Sequence, residues 1–150
     1  MRPGVLALLV LFTALTGGGC PTVDQGDPPV TPDTCHPDFL AFSAAGGIWE
    51  SAITPADTSK SCIQEGGCHR QEDGRSALRL IAKDRASLTP SELQQNYDVI
   101  TRFLNCFTPS ASPFVTKPKT GEDPHGGGDL WVCDGTSQPC TMVEQWIGGG

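Results

Sequence analysis

The chain has 150 residues, a formal net charge of −7 and an aromatic content of 7%. An acidic chain of this kind has no electrostatic attraction for nucleic acid or for anionic membrane surfaces, so nucleic acid is not expected as a partner. Its 18 glycines and 13 prolines are many for a globular protein but fewer than low-complexity sequence contains, which predicts a folded domain with long loops.

The N-terminus predicts export. Arg2 precedes an apolar run, residues 5–15, which is too short to span a bilayer and is typical of a signal peptide. Three glycines then precede Cys20 and resemble a bacterial lipobox, although Gly17 stands where such boxes usually have leucine. Residues 1–19 are therefore predicted to be a lipoprotein signal peptide and Cys20 the lipidated residue. An ordinary secretory signal followed by a disulfide-forming Cys20 is the alternative.

Residues 20–37 are predicted to be the lipidated cysteine and a disordered tether. They are rich in proline, aspartate and glycine and offer little that a core can bury. Pro21 follows Cys20 where an inner-membrane retention signal has aspartate, which favours the outer membrane as the location in the cell envelope. Residues 38–150 then form one domain, large enough for a single modest core.

Three helices are predicted in this domain. The first covers about residues 39–51, and its Gly46-Gly47 pair weakens it. The second begins at Thr89, which has capping-box spacing to Glu92, and continues to about Phe107. Its apolar face recurs every three or four residues and comprises Leu93, Tyr97, Ile100, Leu104 and Phe107.

The third helix is predicted to begin near Pro139 or Thr141 and to end at the terminal glycines. Thr141 and Glu144 repeat the capping-box spacing. Residues 108–138 show little periodicity and are predicted to be loop, and no run of alternating strands is present. The predicted fold class is mainly α with long loops.

The segment between the first two predicted helices contains Cys62, Cys68 and His69. A cysteine pair with histidine directly after the second cysteine is the arrangement needed for covalent haem attachment. The thiols form thioethers with the haem vinyl groups, and the imidazole binds the iron. Five residues separate these cysteines where the standard motif has two, and Gly66-Gly67 can accommodate the larger loop. The prediction is haem c held by Cys62, Cys68 and His69.

A second axial ligand is expected from His125, which precedes three glycines on a predicted loop. Met142 is the weaker candidate because it lies on the apolar face of the last predicted helix. Two other interpretations of the motif stay open. Cys62 and Cys68 can close a small disulfide loop, or the two cysteines and two histidines can hold zinc.

Export to an oxidising compartment favours disulfides among the remaining cysteines, with the connectivity left open. These candidates are Cys35, Cys106, Cys133 and Cys140. The chain has no nucleophile elbow, His-Glu-x-x-His motif or phosphate-binding loop, so an enzyme is not expected.

Five motifs in fixed order resemble the cytochrome-c-like domains of envelope lipoproteins from myxobacteria and planctomycetes. They are Cys62…Cys68-His69, Ala77-Leu-Arg-Leu80, Ser112-Pro-Phe-Val-Thr-Lys117-Pro118, His125-Gly-Gly-Gly128 and Trp146-Ile147-Gly148. The resemblance covers about residues 39–150. It departs at the widened cysteine spacing and at Arg70, where a small residue is usual.

The resemblance implies a small cytochrome-c-like helical domain that binds haem c and transfers electrons. The expected partners are a lipid bilayer, reached through acylated Cys20, and a redox or envelope protein. The alternative is a haem-free, disulfide-stapled lipoprotein that acts as a structural or interaction module.

Overall fold

The computed structural model describes residues 35–64, 69–74, 76–121, 125 and 130–149. The predicted signal peptide, Cys20, nearly all of the tether and Cys68 lie outside these residues.

The described chain is mainly helical, as predicted. Its α-helices are α1 (Phe39–Ser43), α2 (Pro90–Thr101), α3 (Pro113–Thr116) and α4 (Cys140–Gly148). A π-helical turn (Trp49–Ile53) and three 3₁₀ turns (Thr58–Lys60, Arg85–Ser87 and Pro109–Ala111) connect them. Extended pairing in the described part is limited to two isolated parallel bridges, Arg70 with Leu80 and Lys119 with Trp131.

The first predicted helix is two elements rather than one. Asp38 caps α1 by accepting hydrogen bonds from the backbone N–H groups of its first turn. Gly46 then adopts a positive φ of 71°, which favours glycine. At Gly47 a Cβ would lie 2.3 Å from the Ala41 carbonyl oxygen, so no side chain fits. The prediction of one helix over 39–51 is therefore wrong, because the glycine pair turns the chain before Trp49–Ile53.

Helix α2 begins as predicted and ends early. Thr89 and Glu92 form both hydrogen bonds of the capping box. The predicted end at Phe107 is wrong: α2 ends at Thr101, and Phe107 is 89% exposed. The Asn105 side chain explains the difference, since its Oδ1 accepts hydrogen bonds from the N–H groups of Phe107 and Thr108 and holds a turn that a helix would not allow.

Helix α4 begins within the predicted range, but its predicted cap differs. It begins at Cys140, and Thr141 forms no capping box with Glu144; the Thr141 hydroxyl is buried without a hydrogen-bond partner among the described residues. The loop prediction for 108–138 is wrong in part, because α3 lies there. Phe114 and Val115 of α3 are buried, so the segment contributes to the core.

Two disulfides join the predicted cysteines. Cys35 bonds to Cys106, 71 residues later, and Cys133 bonds to Cys140, 7 residues later. The prediction of disulfides among these four residues is confirmed, and the structure selects one of the three connectivities.

An aromatic cluster from α1, α2 and α4 forms the centre of the core. The Phe42 ring lies 5.7 Å from Trp146 and 5.5 Å from Tyr97, measured between centroids. Two long-range hydrogen bonds tie this cluster to the start of the domain: Tyr97 Oη donates to the Pro37 carbonyl at 2.6 Å, and Trp146 Nε1 donates to the Asp38 carbonyl at 2.9 Å. With the Cys35 disulfide, they fix residues 35–38 onto α2 and α4.

None of the helices in the described part of the chain has the length and apolar character of a membrane-spanning segment.

Candidate functional site

His69 lies at the base of a loop that backbone hydrogen bonds close. The Leu80 N–H donates to the His69 carbonyl at 2.7 Å, and the Gln71 N–H donates to the Leu80 carbonyl at 2.8 Å. Leu80 itself is fully buried. The Ala77–Leu80 motif thus places His69 beside a chain segment that the core holds in position.

Helix α2 anchors the same segment from the other side. Asn96 is 1% exposed, and its amide makes two hydrogen bonds to Ile81: Oδ1 accepts from the N–H at 2.8 Å and Nδ2 donates to the carbonyl at 3.2 Å. A buried amide is stable only when its polar atoms are paired. The pairing fixes residues 78–81 relative to α2, and so fixes the backbone that holds His69.

The His69 imidazole is oriented through Nδ1. This nitrogen lies 3.1 Å from the Leu78 carbonyl oxygen and 2.6 Å from Ser76 Oγ. Since a carbonyl can only accept, the Leu78 contact is a hydrogen bond when Nδ1 carries the proton. Burial, with a further contribution from nearby His125, lowers the pKa of His69 below its ordinary value of 6.5. At neutral pH the ring is therefore uncharged, the form in which imidazole binds metals.

His125 comes from a second loop that is also closed at its base. The Pro118 carbonyl accepts from the N–H groups of Leu130, at 2.9 Å, and Trp131, at 2.8 Å, while the Thr120 N–H donates to the Trp131 carbonyl at 2.9 Å. Trp131 is 2% exposed and packs edge-on against Phe114 of α3. The core thereby fixes both ends of the segment that carries His125.

The structure brings the two predicted histidines together. The ring centroids of His69 and His125 are 5.9 Å apart, and the ring planes differ by only 13°. With metal–nitrogen bonds of about 2 Å, two imidazoles on opposite sides of one ion have centroids about 6 Å apart. The spacing is also within the ordinary range for packed aromatic rings. The pair therefore has a separation that suits a shared metal ion.

Cys62 is half-buried and carries a free thiol. Its backbone N–H donates to the Ile53 carbonyl at 3.0 Å, which holds it behind the Trp49–Ile53 turn. Desolvation raises the pKa of the thiol to about 12. Cys62 is therefore a protonated thiol in this fold. Its predicted partner Cys68 lies outside the described residues.

Trp146 and Met142 have roles in packing. Trp146 is 7% exposed and stacks on Phe42. Its indole N–H donates a hydrogen bond to the backbone carbonyl of Asp38. Met142 is half-buried against the core. Both observations agree with the prediction that these residues are core residues first.

A second group of possible metal ligands lies away from the histidine pair and contains a disulfide. Among the described residues, Cys133, Cys140 and Glu144 form a group of three whose ligand atoms lie within 4.8 Å of one another. The two sulfur atoms are bonded to each other, and a disulfide offers no thiolate to a metal. The group is therefore a structural disulfide with a neighbouring glutamate, not a metal site.

Sequence reasoning missed three groups that build the site: the Ser76 hydroxyl, the Leu78 carbonyl and the Asn96 amide. Asn96 had a usable signal, because it is a polar residue on the buried side of an otherwise apolar helix face and must find partners there. Ser76 and the Leu78 carbonyl had no such signal in the sequence, because they come into contact with His69 only when the loop is closed.

Comparison of the chain with protein-family models, with curated proteins and with solved structures finds no match. The resemblance to cytochrome-c-like domains therefore rests on the five sequence motifs.

Proposed function

We propose that this chain is a lipid-anchored envelope protein that binds haem c and transfers electrons. In this proposal Cys62 and Cys68 form the thioethers, His69 is the proximal iron ligand and His125 is the distal ligand. The observation that carries the proposal is the histidine pair: two nearly parallel rings 5.9 Å apart, one of them held by Nδ1.

The two imidazoles are suitable ligands for a haem iron. His69 is neutral at pH 7 and its Nδ1 is engaged by Leu78, so Nε2 is the nitrogen left for a metal; it makes no hydrogen bond to the described residues. His125 supplies a second imidazole at a separation suited to a shared ion. Two histidines around one iron favour a lower reduction potential than histidine with methionine. Bound haem supplies one-electron chemistry, while the chain positions the ligands.

The proposal extends to the fold and the anchor. A cytochrome-c-like arrangement is supported by the order of the five motifs and by what their residues do in the structure. Leu80 closes the His69 loop, and the Pro118 carbonyl closes the His125 loop. The lipobox-like sequence before Cys20 supports a lipid anchor, and Pro21 directly after it favours the outer membrane.

A second candidate function is a haem-free structural or interaction module. The two disulfides favour it, because they stabilise a small exported domain without a cofactor. If every cysteine after Cys20 is in a disulfide, this candidate requires a bond between Cys62 and Cys68. The free thiol of Cys62 supports the haem proposal instead.

The deciding experiment is a pyridine haemochrome spectrum of protein made in a host with haem-attachment machinery. We expect a haem c signal that is lost in the Cys62→Ala/Cys68→Ala variant. A Cys133→Ala/Cys140→Ala variant is the matched control, since it also removes two cysteines but should retain the signal. A colourless wild-type protein whose mass shows a Cys62–Cys68 disulfide would establish the second candidate.

The distal ligand has its own test. His125→Ala should open the iron to carbon monoxide or cyanide, because it removes the sixth ligand. Met142→Leu should leave ligand access unchanged, since Met142 packs against the core. If Met142→Leu opens the iron and His125→Ala does not, the distal assignment is wrong.

Anchoring is tested separately. Cys20→Ser should move the protein from the detergent phase to the aqueous phase in detergent partitioning, because acyl chains contribute about 0.8 kcal/mol per buried methylene group. Equal partitioning of variant and wild type would remove the lipid anchor from the proposal.

A further inference from the structure

Two of the three large apolar side chains that are exposed in the described part of the chain lie close to the start of the domain. Leu40 is 72% exposed and Phe107 is 89% exposed. The predicted tether enters at Cys35, and α1, which carries Leu40, begins four residues later. The disulfide places the Cys35 and Cys106 Cα atoms 5.3 Å apart. Because consecutive Cα atoms are 3.80 Å apart, the Phe107 Cα lies within about 9 Å of the Cys35 Cα.

The segments that carry these two side chains are uncharged. Residues 39–49 and 103–116 contain no charged residue, and they are the two longest such stretches between residues 35 and 150 of a chain whose net charge is −7. The exposed residues between positions 39 and 45 are all apolar, and they are Leu40, Ala41, Ala44 and Ala45. We call these four residues and Phe107 the entry surface. It is an apolar, uncharged part of an acidic domain.

The charged groups that border α1 are bonded to backbone. Asp38 accepts hydrogen bonds from the N–H groups of the first turn of α1, and Glu50 accepts one from the Gly46 N–H at 2.6 Å. At the other end of α1, Arg85 Nε donates to the Ser43 carbonyl and adds a positive charge. The two carboxylates are therefore directed at backbone N–H groups, and a cation lies at the same helix.

We propose that the entry surface lies against the lipid bilayer, with Leu40 and Phe107 inserted between the acyl chains close to the headgroups. The occupant of this surface is phospholipid and not a protein. The inference rests on the proposed function for the lipid anchor at Cys20, and it does not depend on haem.

The length of the tether favours this side of the domain. Cys35 follows Cys20 by fifteen residues, so at ~3.1 Å per extended residue it stays within about 47 Å of the anchor. The opposite side of the domain is farther away by the diameter of the domain itself. Because the anchor already keeps the domain at a high effective concentration near the membrane, a weak contact is enough to orient it.

The contact is apolar rather than electrostatic. Acidic parts of the domain are repelled by anionic lipids, so an uncharged surface is the part that approaches the bilayer most closely. Transfer of an exposed phenylalanine side chain from water to an apolar environment favours contact by about tenfold or more. Contact through the entry surface should therefore depend on Leu40 and Phe107 and not on the salt concentration.

The first experiment cross-links the acylated full chain to vesicles of phosphatidylethanolamine and phosphatidylglycerol. Photoreactive benzoylphenylalanine replaces Leu40, Phe107 or Val132, and the adducts are identified by mass spectrometry. Val132 is the matched control: it is a 55% exposed apolar residue beside a disulfide cysteine, as Phe107 is, but it lies two residues before the exposed Asp134. We expect about tenfold more phospholipid adduct at positions 40 and 107 than at 132. Equal yields at the three positions, or adducts with a second copy of the chain in place of lipid, would overturn the inference.

The second experiment removes the two apolar side chains and places the photoreactive group at Ala44. Leu40→Ser/Phe107→Ser should lower the yield of lipid adduct at position 44 about tenfold, whereas Val132→Ser should leave it unchanged. Leu40 and Phe107 are exposed, so the double variant keeps the buried core intact. An unchanged yield in the double variant would overturn the role of the two side chains. Loss of the adduct at high salt would show that charge holds the surface on the bilayer, which also contradicts the inference.

Detergent partitioning of the same preparations distinguishes the two possible failures. A chain that enters the detergent phase but gives no lipid adduct at positions 40 and 107 would refute the inference and leave the proposed function intact. A chain that stays in the aqueous phase would refute the lipid anchor and the inference together. Haem binding by Cys62, Cys68 and His69 would stand in both cases, because it is measured separately by the haemochrome spectrum.

Discussion

The aromatic core and the histidine site are built by different means. The start of the domain, α1, α2 and α4 are joined by the Cys35–Cys106 disulfide and by stacked rings around Phe42. The histidine site is held by hydrogen bonds between loop segments and by the Asn96 amide of α2, with His69 and His125 coming from two separate loops.

This difference means that the core determines the folding stability of the domain, whereas the histidine site determines its ligand chemistry. Covalent closure and buried aromatic area determine how strongly the domain is folded. The polar contacts at His69 Nδ1 determine which ring nitrogen is available to a ligand. Changes in the core should therefore have large effects on unfolding, and changes at the histidine site should have much smaller ones.

The largest effect should come from the long disulfide. Removing Cys35–Cys106 as a double alanine variant should lower the free energy of unfolding by about 4 kcal/mol, because the bond closes a loop of about 70 residues. The double alanine variant of Cys133–Cys140 should lose only about 2 kcal/mol, since its loop is about ten times shorter. Urea unfolding followed by tryptophan fluorescence measures both. Equal losses would contradict the loop-closure argument.

The next largest effect should come from the hydrogen bond that joins α4 to the start of the domain. Trp146→Phe removes the indole that donates to the Asp38 carbonyl and should cost about 1–3 kcal/mol beyond the loss of ring volume. Trp49→Phe is the matched control: Trp49 is fully buried, and its Nε1 has no hydrogen-bond partner among the described residues. Thermal unfolding of the haem-free chain should place Trp146→Phe below Trp49→Phe, and the reverse order would show that the hydrogen bond is unimportant.

A smaller effect distinguishes the two capping sequences. Thr89→Val should cost about 1 kcal/mol because Thr89 caps α2. Thr141→Val should be neutral or slightly stabilising, since the Thr141 hydroxyl is buried without a partner and its loss removes a desolvated polar group. Chemical denaturation measures the two variants side by side. A loss at Thr141 as large as that at Thr89 would mean that Thr141 does cap α4 in solution.

The smallest effect is a pH dependence at the histidine site of the haem-free chain. Because burial lowers the pKa of His69 in the folded state, the unfolded chain takes up a proton first as the pH falls. This contribution to stability is therefore complete above about pH 6.5 and declines as the pH falls from there towards the folded-state pKa. His69→Gln should reduce the loss of stability between pH 7.5 and 5.5, as measured by urea unfolding. An unchanged loss in the variant would show that His69 is not the group responsible.

Short sequence patterns predicted the structure correctly where the interacting residues are neighbours in the sequence. The capping box at Thr89 and the burial of Leu93, Tyr97 and Ile100 were predictable because the pattern and its partners are neighbours in sequence. The same Thr-x-x-Glu pattern at Thr141 gave a wrong cap, since α4 begins at Cys140. The apolar periodicity beyond Thr101 gave a wrong helix end, because Asn105 forms a competing turn.

By itself, the sequence determined the mainly helical class, the start of α2, the need for disulfides and the identity of the candidate ligand residues, since composition and short-range spacing carry that information. Only the tertiary structure decided which cysteines pair, that His69 and His125 lie 5.9 Å apart, and that Ser76, Leu78 and Asn96 support the site. These features depend on contacts between segments up to 71 residues apart. No local pattern encodes such contacts, because they form only when the whole core is packed.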